Sequence, residues 1–171
     1  AAGCARSGMS IVGRDYYGIF PLKGKLLNVR EASIKQMMGN EEINNIKQIL
    51  GLKNDCKYDC DEDFNTLRYG KIMIFTDQDV DGSHIKGLVM NMFHHMWPSL
   101  LERKGFITSL STPIVKAFKG KDVKIFYNLT EYEKWCDTDP KGYKIKYYKG
   151  LGTSTKDESK EYFKGINDKL I

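Results

Sequence analysis

The sequence predicts an α/β fold in which a parallel sheet is flanked by helices and followed by a segment of mixed strands and helices. Residues 71–76 form an almost continuous apolar run, which is typical of a strand buried on both faces of a parallel sheet. An acidic turn comes next, and apolar residues then recur at helical spacing from Ile85 to Met96. A strand, a turn and a helix in this order form half of the unit that builds doubly wound sheets.

Local patterns predict the elements before this strand. Helical spacing predicts helices at residues 31–38 and 41–50, and Gly51 is a natural stop for the second. Short apolar runs broken by glycine and proline predict strands and loops over residues 11–29, and an acidic stretch predicts a surface loop over residues 54–65. The opening small residues are compatible with a helix, but no N-cap precedes them, so we expect the chain to be cut at its front.

Strands and helices continue to the end of the sequence. The predicted strands cover residues 114–118, 124–128 and 143–148, and the predicted helices cover residues 130–135 and 155–163. Thr130 is placed to cap the first of these helices.

The composition argues against several classes of protein. Lys and Arg number 27 against 22 Asp and Glu, and the resulting net charge of +5 permits a polyanionic partner. No apolar run is long enough to cross a membrane and no secretory signal is evident, so we expect no membrane partner. The four cysteines lack Cys-x-x-Cys spacing, which argues against a disulfide scaffold and favours a reducing compartment.

Three aspartates, Asp77, Asp79 and Asp81, follow the predicted strand at alternating positions. The carboxyl end of a strand is where α/β sheets place ligand sites. In an extended backbone, the side chains of Asp77 and Asp79 point to the same side, and Asp81 joins them if the extended backbone reaches it. A divalent cation bound there would relieve the repulsion between the carboxylates. Oxygen ligands without a thiolate favour Mg²⁺ or Mn²⁺, and Mg²⁺ commonly completes its shell from phosphates. The motif therefore indicates a metal site for phosphodiester chemistry.

Two other interpretations of this motif stay open at the level of the residues. The spacing also fills the first positions of the EF-hand calcium pattern, but Leu88 stands where that pattern needs a glutamate. Alternatively, Asp81, Ser83 or both only cap the following helix. His84, in the first turn of that helix, is a candidate to support a metal ligand or to touch a phosphate.

Two lysine–glycine clusters, at residues 23–25 and 149–154, are further candidates for phosphate contacts, because glycine lets backbone and ammonium groups approach closely. Each also fits a solvated turn. Neither matches the G-x-x-x-x-G-K-[ST] nucleotide loop, so the chain shows no ATP site of that kind. Cys56 and Cys60 are predicted to be free thiols, with a metal site that includes a neighbouring aspartate as the alternative.

Four separate runs resemble the Toprim region of eukaryotic-type DNA topoisomerase II. They are residues 11–15 (IVGRD), 21–32 (PLKGKLLNVREA), 76–88 (TDQDVDGSHIKGL) and 147–154 (YYKGLGTS). The runs occur in the family's order over nearly the whole chain. The last run has the form of eukaryotic or large-virus enzymes rather than of gyrases.

The resemblance implies a Toprim-type, Rossmann-like parallel sheet flanked by helices over residues 1–110, lacking its first strand. Residues 111–171 would form a mixed α+β connection into the breakage-reunion region and the start of that region. The implied parent is an ATP-dependent isomerase that cuts both strands of one duplex, passes a second duplex through and reseals the break. The family's catalytic glutamate and tyrosine, and its ATP-binding domain, would lie outside this chain. We therefore expect no catalytic residue within it and no activity from it alone.

The resemblance also implies roles for six residues. The metal ligands would be Asp77, Asp79 and Asp81, and the DNA contacts would be Lys23, Lys25 and Asn28. Asp77 would bridge two Mg²⁺ ions and Asp79 would hold the second, with Asp81 in support and with Mn²⁺ or Ca²⁺ as substitutes. Lys23 replaces an arginine of many family members, which keeps the charge but loses the planar fork that grips phosphate.

The implied partners are double-stranded DNA and, in the full-length enzyme, a second copy in a homodimer. The implied compartment is the nucleus, or the host cell if the source is viral. Two rival hypotheses stay open. Another Toprim enzyme, such as a primase or a nuclease, would share the acidic motif without needing the runs at residues 21–32 and 147–154. A metal-independent DNA-binding module would hold DNA through its lysines alone.

Overall fold

A computed structural model of the chain describes residues 2–148 and 150–170. The helices are α1 (Ala2–Val12), α2 (Ile34–Gly39), α3 (Glu41–Leu50), α4 (Asp61–Phe64), α5 (Val80–Met96), α6 (Pro98–Glu102), α7 (Leu129–Cys136) and α8 (Lys156–Phe163). The strands are β1 (Ile72–Ile74), β2 (Ile107–Ser109), β3 (Val115–Lys119), β4 (Asp122–Phe126) and β5 (Lys144–Tyr147). Two short 3₁₀ helices cover Leu151–Thr153 and Ile166–Lys169.

These elements group into two compact units. The central unit comprises Phe20–Ile74 and Ser83–Ser109, and the terminal unit comprises Ala1–Ile19, Phe75–Gly82 and Leu110–Ile171. Each unit is discontinuous in sequence. The units therefore do not test the domain division predicted near residue 110, which stays a prediction.

The central unit contains a two-stranded parallel sheet, in which β1 pairs with β2 and Ile72 lies opposite Ile107. Helices α3 and α5 share one hydrophobic core with this sheet. Buried members of that core include Ile43, Leu50, Ile74, Leu88, Val89, Met92, Phe93 and Trp97. The indole N–H of Trp97 donates to the carbonyl of Lys53 at 2.8 Å, so the largest buried side chain has its polar atom satisfied. The predicted parallel sheet flanked by helices is confirmed.

Capping residues set where two helices begin. The Ser33 side chain accepts from the Gln36 amide at 3.3 Å, and the Gln36 side chain accepts from the Ser33 amide at 2.8 Å. This capping box starts α2 later than helical spacing alone predicts. At α7 the cap is Asn128, whose side chain accepts from the Glu131 amide at 2.9 Å. The expected cap, Thr130, lies inside the helix instead.

The terminal unit combines a helix pair with an antiparallel sheet. Helices α1 and α8 pack so closely that a Cβ atom at Gly8 would overlap the ring of Phe163. The sheet has the order β4-β3-β5. Trp135 of α7 packs on this sheet, with its ring centroid 5.2 Å from that of Phe126 and 5.0 Å from that of Tyr143. Aromatic packing thus covers one end of the sheet.

Some local structure differs from the predictions. Among the described residues no strand forms between residues 11 and 29, because α1 extends to Val12 and the rest is irregular. The acidic stretch predicted as a loop contains the short helix α4. Helix α6 and strand β2 have five and three residues and contain neither a long apolar run nor helical spacing that would predict them. Within the part of the chain that the structure describes, no helix has both the length and the apolar character needed to cross a membrane.

Glu158 joins α8 to β5 and allows a prediction about stability. Its carboxylate accepts from Lys146 Nζ at 2.8 Å, from the Tyr148 hydroxyl at 2.6 Å and from the Thr155 amide at 2.8 Å. Burial alone would raise the pKa of Glu158, but these hydrogen bonds outweigh it and lower the pKa from 4.5 to about 2. The stability that Glu158 contributes is therefore complete above about pH 4.5 and is lost as the pH falls towards 2.

We expect Glu158→Gln to lower the free energy of unfolding at pH 7 by about 1–3 kcal/mol, because hydrogen bonds to a charged group are lost. The difference from the wild type should shrink between pH 4.5 and pH 2. Urea unfolding at a series of pH values measures both effects, with Glu133→Gln on exposed α7 as the control. A Glu158→Gln difference that stays constant down to pH 2 would contradict the proposed role of its charge.

Candidate metal centre and nucleic-acid interface

The acidic motif begins shortly after the end of a strand, with Phe75 and Thr76 between the strand and Asp77. Strand β1 ends at Ile74, and Thr76 immediately precedes Asp77. The Thr76 side chain is buried, and its Oγ1 atom has no hydrogen-bond partner among the described residues. Buried hydroxyl groups are nearly always hydrogen-bonded, so this unpartnered oxygen beside the acidic motif is unusual.

Asp77 is half-buried and is oriented by a distant loop. Its Oδ1 atom accepts a hydrogen bond from the backbone N–H of Leu151 at 2.7 Å. The preceding residue, Gly150, lies so close that a Cβ atom there would be 3.0 Å from Asp77 Oδ2. A side chain at this position would press on the Asp77 carboxylate, so the close approach favours glycine. The structure brings together two of the sequence runs, residues 76–88 and 147–154, at one carboxylate.

Asp79 caps α5 rather than standing free. Its Oδ1 atom accepts from the backbone N–H of Gly82 at 2.7 Å, the bond that an N-cap side chain makes to the third helical residue. This bond makes Asp79 a capping residue, whereas the capping interpretation of the motif names Asp81, Ser83 or both. A carboxylate at this end also benefits from the partial positive charge of the helix N-terminus.

The third aspartate departs from the predicted alternation. Asp81 is exposed and lies in the first turn of α5, because the helix begins at Val80 and the extended backbone ends before it. Among the described residues, the group of three acidic, thiol or imidazole side chains whose ligand atoms lie within 4.8 Å of one another is Asp59, Cys60 and Asp63. The three motif aspartates do not meet that distance, so their convergence on one point is not observed.

The donor set of the motif nevertheless fits a magnesium ion. Asp77 and Asp79 each use one carboxylate oxygen for a backbone amide, and their second oxygens make no hydrogen bond to the described residues. The Thr76 hydroxyl is a further oxygen without a partner in this part of the structure. Oxygen donors of this kind are the ligands that Mg²⁺ prefers. Which residues bind the metal stays a prediction.

The predicted DNA contacts lie in the central unit, on the loop formed by residues 23–30. Leu26 and Val29 are buried in the core and anchor this loop, whereas Lys23 and Lys25 are exposed. Gly24 between the lysines has φ +94°, a conformation that favours glycine. The loop therefore presents two ammonium groups from a fixed backbone. The metal motif belongs to the terminal unit, whereas this loop belongs to the central unit.

Asn28, the third predicted DNA contact, is half-buried and hydrogen-bonded. Its Oδ1 atom accepts from the backbone N–H of Arg30 at 3.3 Å and from Asn91 Nδ2 at 3.1 Å. The first of these bonds closes an Asx turn, which fixes the loop where it enters α2. The side-chain oxygen of Asn28 is thus used within the protein, which leaves its amide nitrogen for a ligand.

Two protein-family models match this chain, and together they span the acidic motif, the 23–30 loop and the 147–154 run. The family model of the Toprim domain matches residues 4–113. The family model of the C-terminal associated domain of TOPRIM matches residues 110–171. The chain belongs to the Toprim family. The acidic motif and the 23–30 loop both fall within the Toprim match, and the 147–154 run falls within the C-terminal associated domain.

Several named relatives of this chain are DNA topoisomerase 2 proteins. This chain is 61% identical to DNA topoisomerase 2 top-2 of Caenorhabditis elegans and 59% identical to human DNA topoisomerase 2-alpha. Each alignment spans 161 residues, which is 93% of this chain and 10% of the relative. This chain is 54% identical to the mitochondrial DNA topoisomerase 2 of Dictyostelium discoideum, of which it covers 14%. The chain thus spans about a tenth of the length of the curated relatives.

A solved structure agrees with these relatives. The DNA-binding, cleavage and re-ligation domain of Plasmodium falciparum topoisomerase II aligns with all of this chain at 55% identity and a TM-score of 0.93, and the match covers 23% of that structure. The predicted resemblance to the Toprim region of eukaryotic-type topoisomerase II is confirmed, and so is the predicted fold class.

Other predicted features of this Toprim chain have mixed outcomes. The four cysteines are free thiols, as expected, and burial raises the pKa of the Cys4 thiol. Cys60 lies beside Asp59 and Asp63 around α4; Asp59 and Cys60 are exposed and Asp63 is half-buried, and exposed acidic groups commonly occur without a metal. His84 is exposed at the start of α5. The predicted contact through Lys149 lies outside the described residues.

Sequence reasoning missed the residues that act through the fold. The amide of Leu151 orients Asp77 across 74 positions, and Asn91 holds Asn28 across 63. No local pattern announces such contacts. The one available signal is the Asn28-x-Arg30 spacing, which suits an Asx turn and could have indicated an ordered loop.

Proposed function

We propose that this chain is the Toprim segment of an ATP-dependent type II DNA topoisomerase, an isomerase that cuts one duplex, passes a second through the break and reseals it. The observation that carries the proposal is the hydrogen bond from the Leu151 amide to Asp77. It joins the acidic run and the glycine-rich run, and both lie in the part of the chain that aligns with the solved topoisomerase II structure.

In this proposal, Asp77 and Asp79 hold Mg²⁺ and Asp81 supports it, with two ions bound and Mn²⁺ or Ca²⁺ as substitutes. The bound ions would stabilise the charge that develops on the oxygens of the phosphodiester during cleavage and resealing. The protein prepares its two ligands in advance, since the Leu151 amide fixes Asp77 and the Gly82 amide fixes Asp79. Fixed ligands avoid reorganisation when the charge forms.

The 23–30 loop supplies the proposed DNA contacts. Lys23 and Lys25 are exposed cations on an anchored backbone, which suits the binding of phosphates without base specificity. Asn28 presents its amide nitrogen, because its oxygen is held by Arg30 and Asn91. Such contacts position the duplex and carry little sequence information.

The remaining parts of the proposal concern the whole protein. Its partner would be double-stranded DNA, and two copies would act together as a homodimer. ATP would bind to a domain other than this one, since no nucleotide loop of the usual form is present here. We propose the nucleus as its compartment, although one relative is named as mitochondrial.

The test is a relaxation assay of the full-length protein on supercoiled plasmid with ATP and Mg²⁺. We expect the linking number to change in steps of two, because each passage moves one duplex through another, and we expect a chelator to abolish the reaction. A nuclease would instead give linear or degraded DNA, and a primase would give new oligonucleotides. A metal-independent module would bind the plasmid equally with and without chelator and leave its topology unchanged.

A further inference from the structure

We propose that Arg30 is a phosphodiester-binding residue, and that Asn91 and His94 of α5 are positioning residues that hold its guanidinium group. The proposal rests on the proposed function, because the phosphodiester is that of the DNA duplex. It adds a binding residue to the two lysines of the 23–30 loop and assigns α5 a task besides core packing. All of these residues belong to the central unit.

Two hydrogen bonds fix the Arg30 side chain. Its Nε atom donates to Asn91 Oδ1 at 2.5 Å, and its Nη2 atom donates to His94 Nδ1 at 3.1 Å. Asn91 and His94 are three positions apart on α5, so they lie on the same face of the helix. Arg30 and His94 are exposed, and the network therefore stands at the protein surface.

The chemistry of the guanidinium group determines how its partners are oriented. Arginine only donates hydrogen bonds, so Asn91 must present its oxygen to Arg30 and its nitrogen to Asn28. Asn28 accordingly accepts through its oxygen, as the backbone N–H of Arg30 also requires. For the same reason, Nδ1 of His94 is the acceptor in its hydrogen bond with Arg30. Each of these four hydrogen bonds thus joins a donor to an acceptor.

The network leaves binding capacity on the guanidinium group. Of its five N–H donors, two are used by Asn91 and His94, and three remain for a ligand. Within the described part of the chain, Arg30 forms no ion pair, so no carboxylate neutralises its charge. An arginine that is already held in place loses less conformational freedom when it binds an anion.

The position of Arg30 favours a phosphodiester as the anion. Val29, directly before it, is buried in the core, so the backbone at Arg30 is anchored next to the lysines of the same loop. Three exposed cations within eight residues suit a polyanion with regularly spaced charges. The planar fork of arginine adds a geometric match to phosphate oxygens, which the neighbouring Lys23 and Lys25 lack.

The experiment measures binding of the full-length protein to a fluorescent DNA duplex over a range of salt concentrations. We expect Arg30→Ala to weaken binding about tenfold and to reduce the slope of log affinity against log salt by about one. Arg30→Lys should keep the slope but recover only part of the affinity. Lys35→Ala, an exposed lysine of α2, controls for general loss of charge.

The positioning residues need a readout of their own. Asn91→Ala should weaken binding about threefold with an unchanged salt slope, because the charge is kept but must be ordered on binding. His95→Ala, the exposed neighbour of His94, is the matched control and should bind like the wild type. By NMR, the Arg30 Nε proton should exchange slowly with solvent in the wild type and rapidly in Asn91→Ala. The two proteins should have equal thermal stability.

The outcomes separate this inference from the proposed function. If Arg30→Ala binds like Lys35→Ala while Lys25→Ala is weakened, Arg30 is not a phosphate contact and the proposed function stands. If Asn91→Ala keeps both the wild-type affinity and the slow Arg30 signal, the positioning role is overturned. If the wild type shows no salt-dependent binding to duplex DNA, the inference and the proposed function both fail.

Discussion

Replacing Asp77 with alanine is expected to abolish DNA cleavage by the full-length enzyme, with a loss of about a thousandfold or more. The reason is that Asp77 is the proposed bridging ligand and is already oriented by the Leu151 amide. Removing it takes away both a negative charge and the acceptor for that amide. Binding of the duplex should largely persist, because the proposed phosphate contacts lie on the 23–30 loop.

A matched variant separates the charge from the hydrogen bond. Asp77→Asn keeps an oxygen that can accept from the Leu151 amide but removes the negative charge. If the charge holds the metal, Asp77→Asn and Asp77→Ala should fail alike in cleavage of radiolabelled DNA at saturating Mg²⁺. Asp55→Ala, an exposed aspartate of the central unit, is the control. Cleavage at the normal rate by Asp77→Ala would show that the metal assignment is wrong.

The second large effect is expected at Gly82, where even one methyl group has no space. An ideal Cβ atom on Gly82 would overlap the backbone carbonyl oxygen of Asp77 and lie 3.1 Å from Thr76 Oγ1. Backbone atoms cannot rotate away as a side chain can. We therefore expect Gly82→Ala to lower the free energy of unfolding by about 3 kcal/mol or to prevent folding.

Gly87 provides the matched control on the same helix. A Cβ atom at Gly87 would meet nothing within 4 Å, so Gly87→Ala should raise the free energy of unfolding by roughly 0.5–1 kcal/mol through its higher helix propensity. Urea unfolding of the two variants measures the contrast, with soluble yield as the readout if Gly82→Ala does not fold. Equal stability of the two variants would contradict the close approach at Gly82.

The sequence predicts those parts of the fold that depend on local patterns. The apolar run before Asp77 and the apolar residues at helical spacing up to Met96 correctly predict a strand and a helix, because both elements pack their apolar side chains into one core. Helix starts are predicted less well. They depend on which of several polar residues makes the capping bond, as the choice of Asn128 over Thr130 shows.

The candidate site is predictable in its residue types but not in its geometry. Alternating aspartates indicate a cation, yet alternation presumes an extended backbone, and α5 begins before Asp81. The contacts of Asp77 with Leu151 and of Arg30 with Asn91 join residues more than sixty positions apart. Such pairs are fixed by the tertiary fold and leave no periodic trace in the sequence.

The contact between Leu151 and Asp77 determines how short a fragment of this chain can be if the environment of Asp77 is to be kept. An excised piece ending at residue 113, where the Toprim match stops, would keep all three aspartates and lose the amide that aims one of them. Metal affinities measured on such a piece would describe a proposed metal site in which Asp77 is no longer held by the Leu151 amide. A fragment that keeps the hydrogen bond to Asp77 must extend through the glycine-rich turn at residues 150–152.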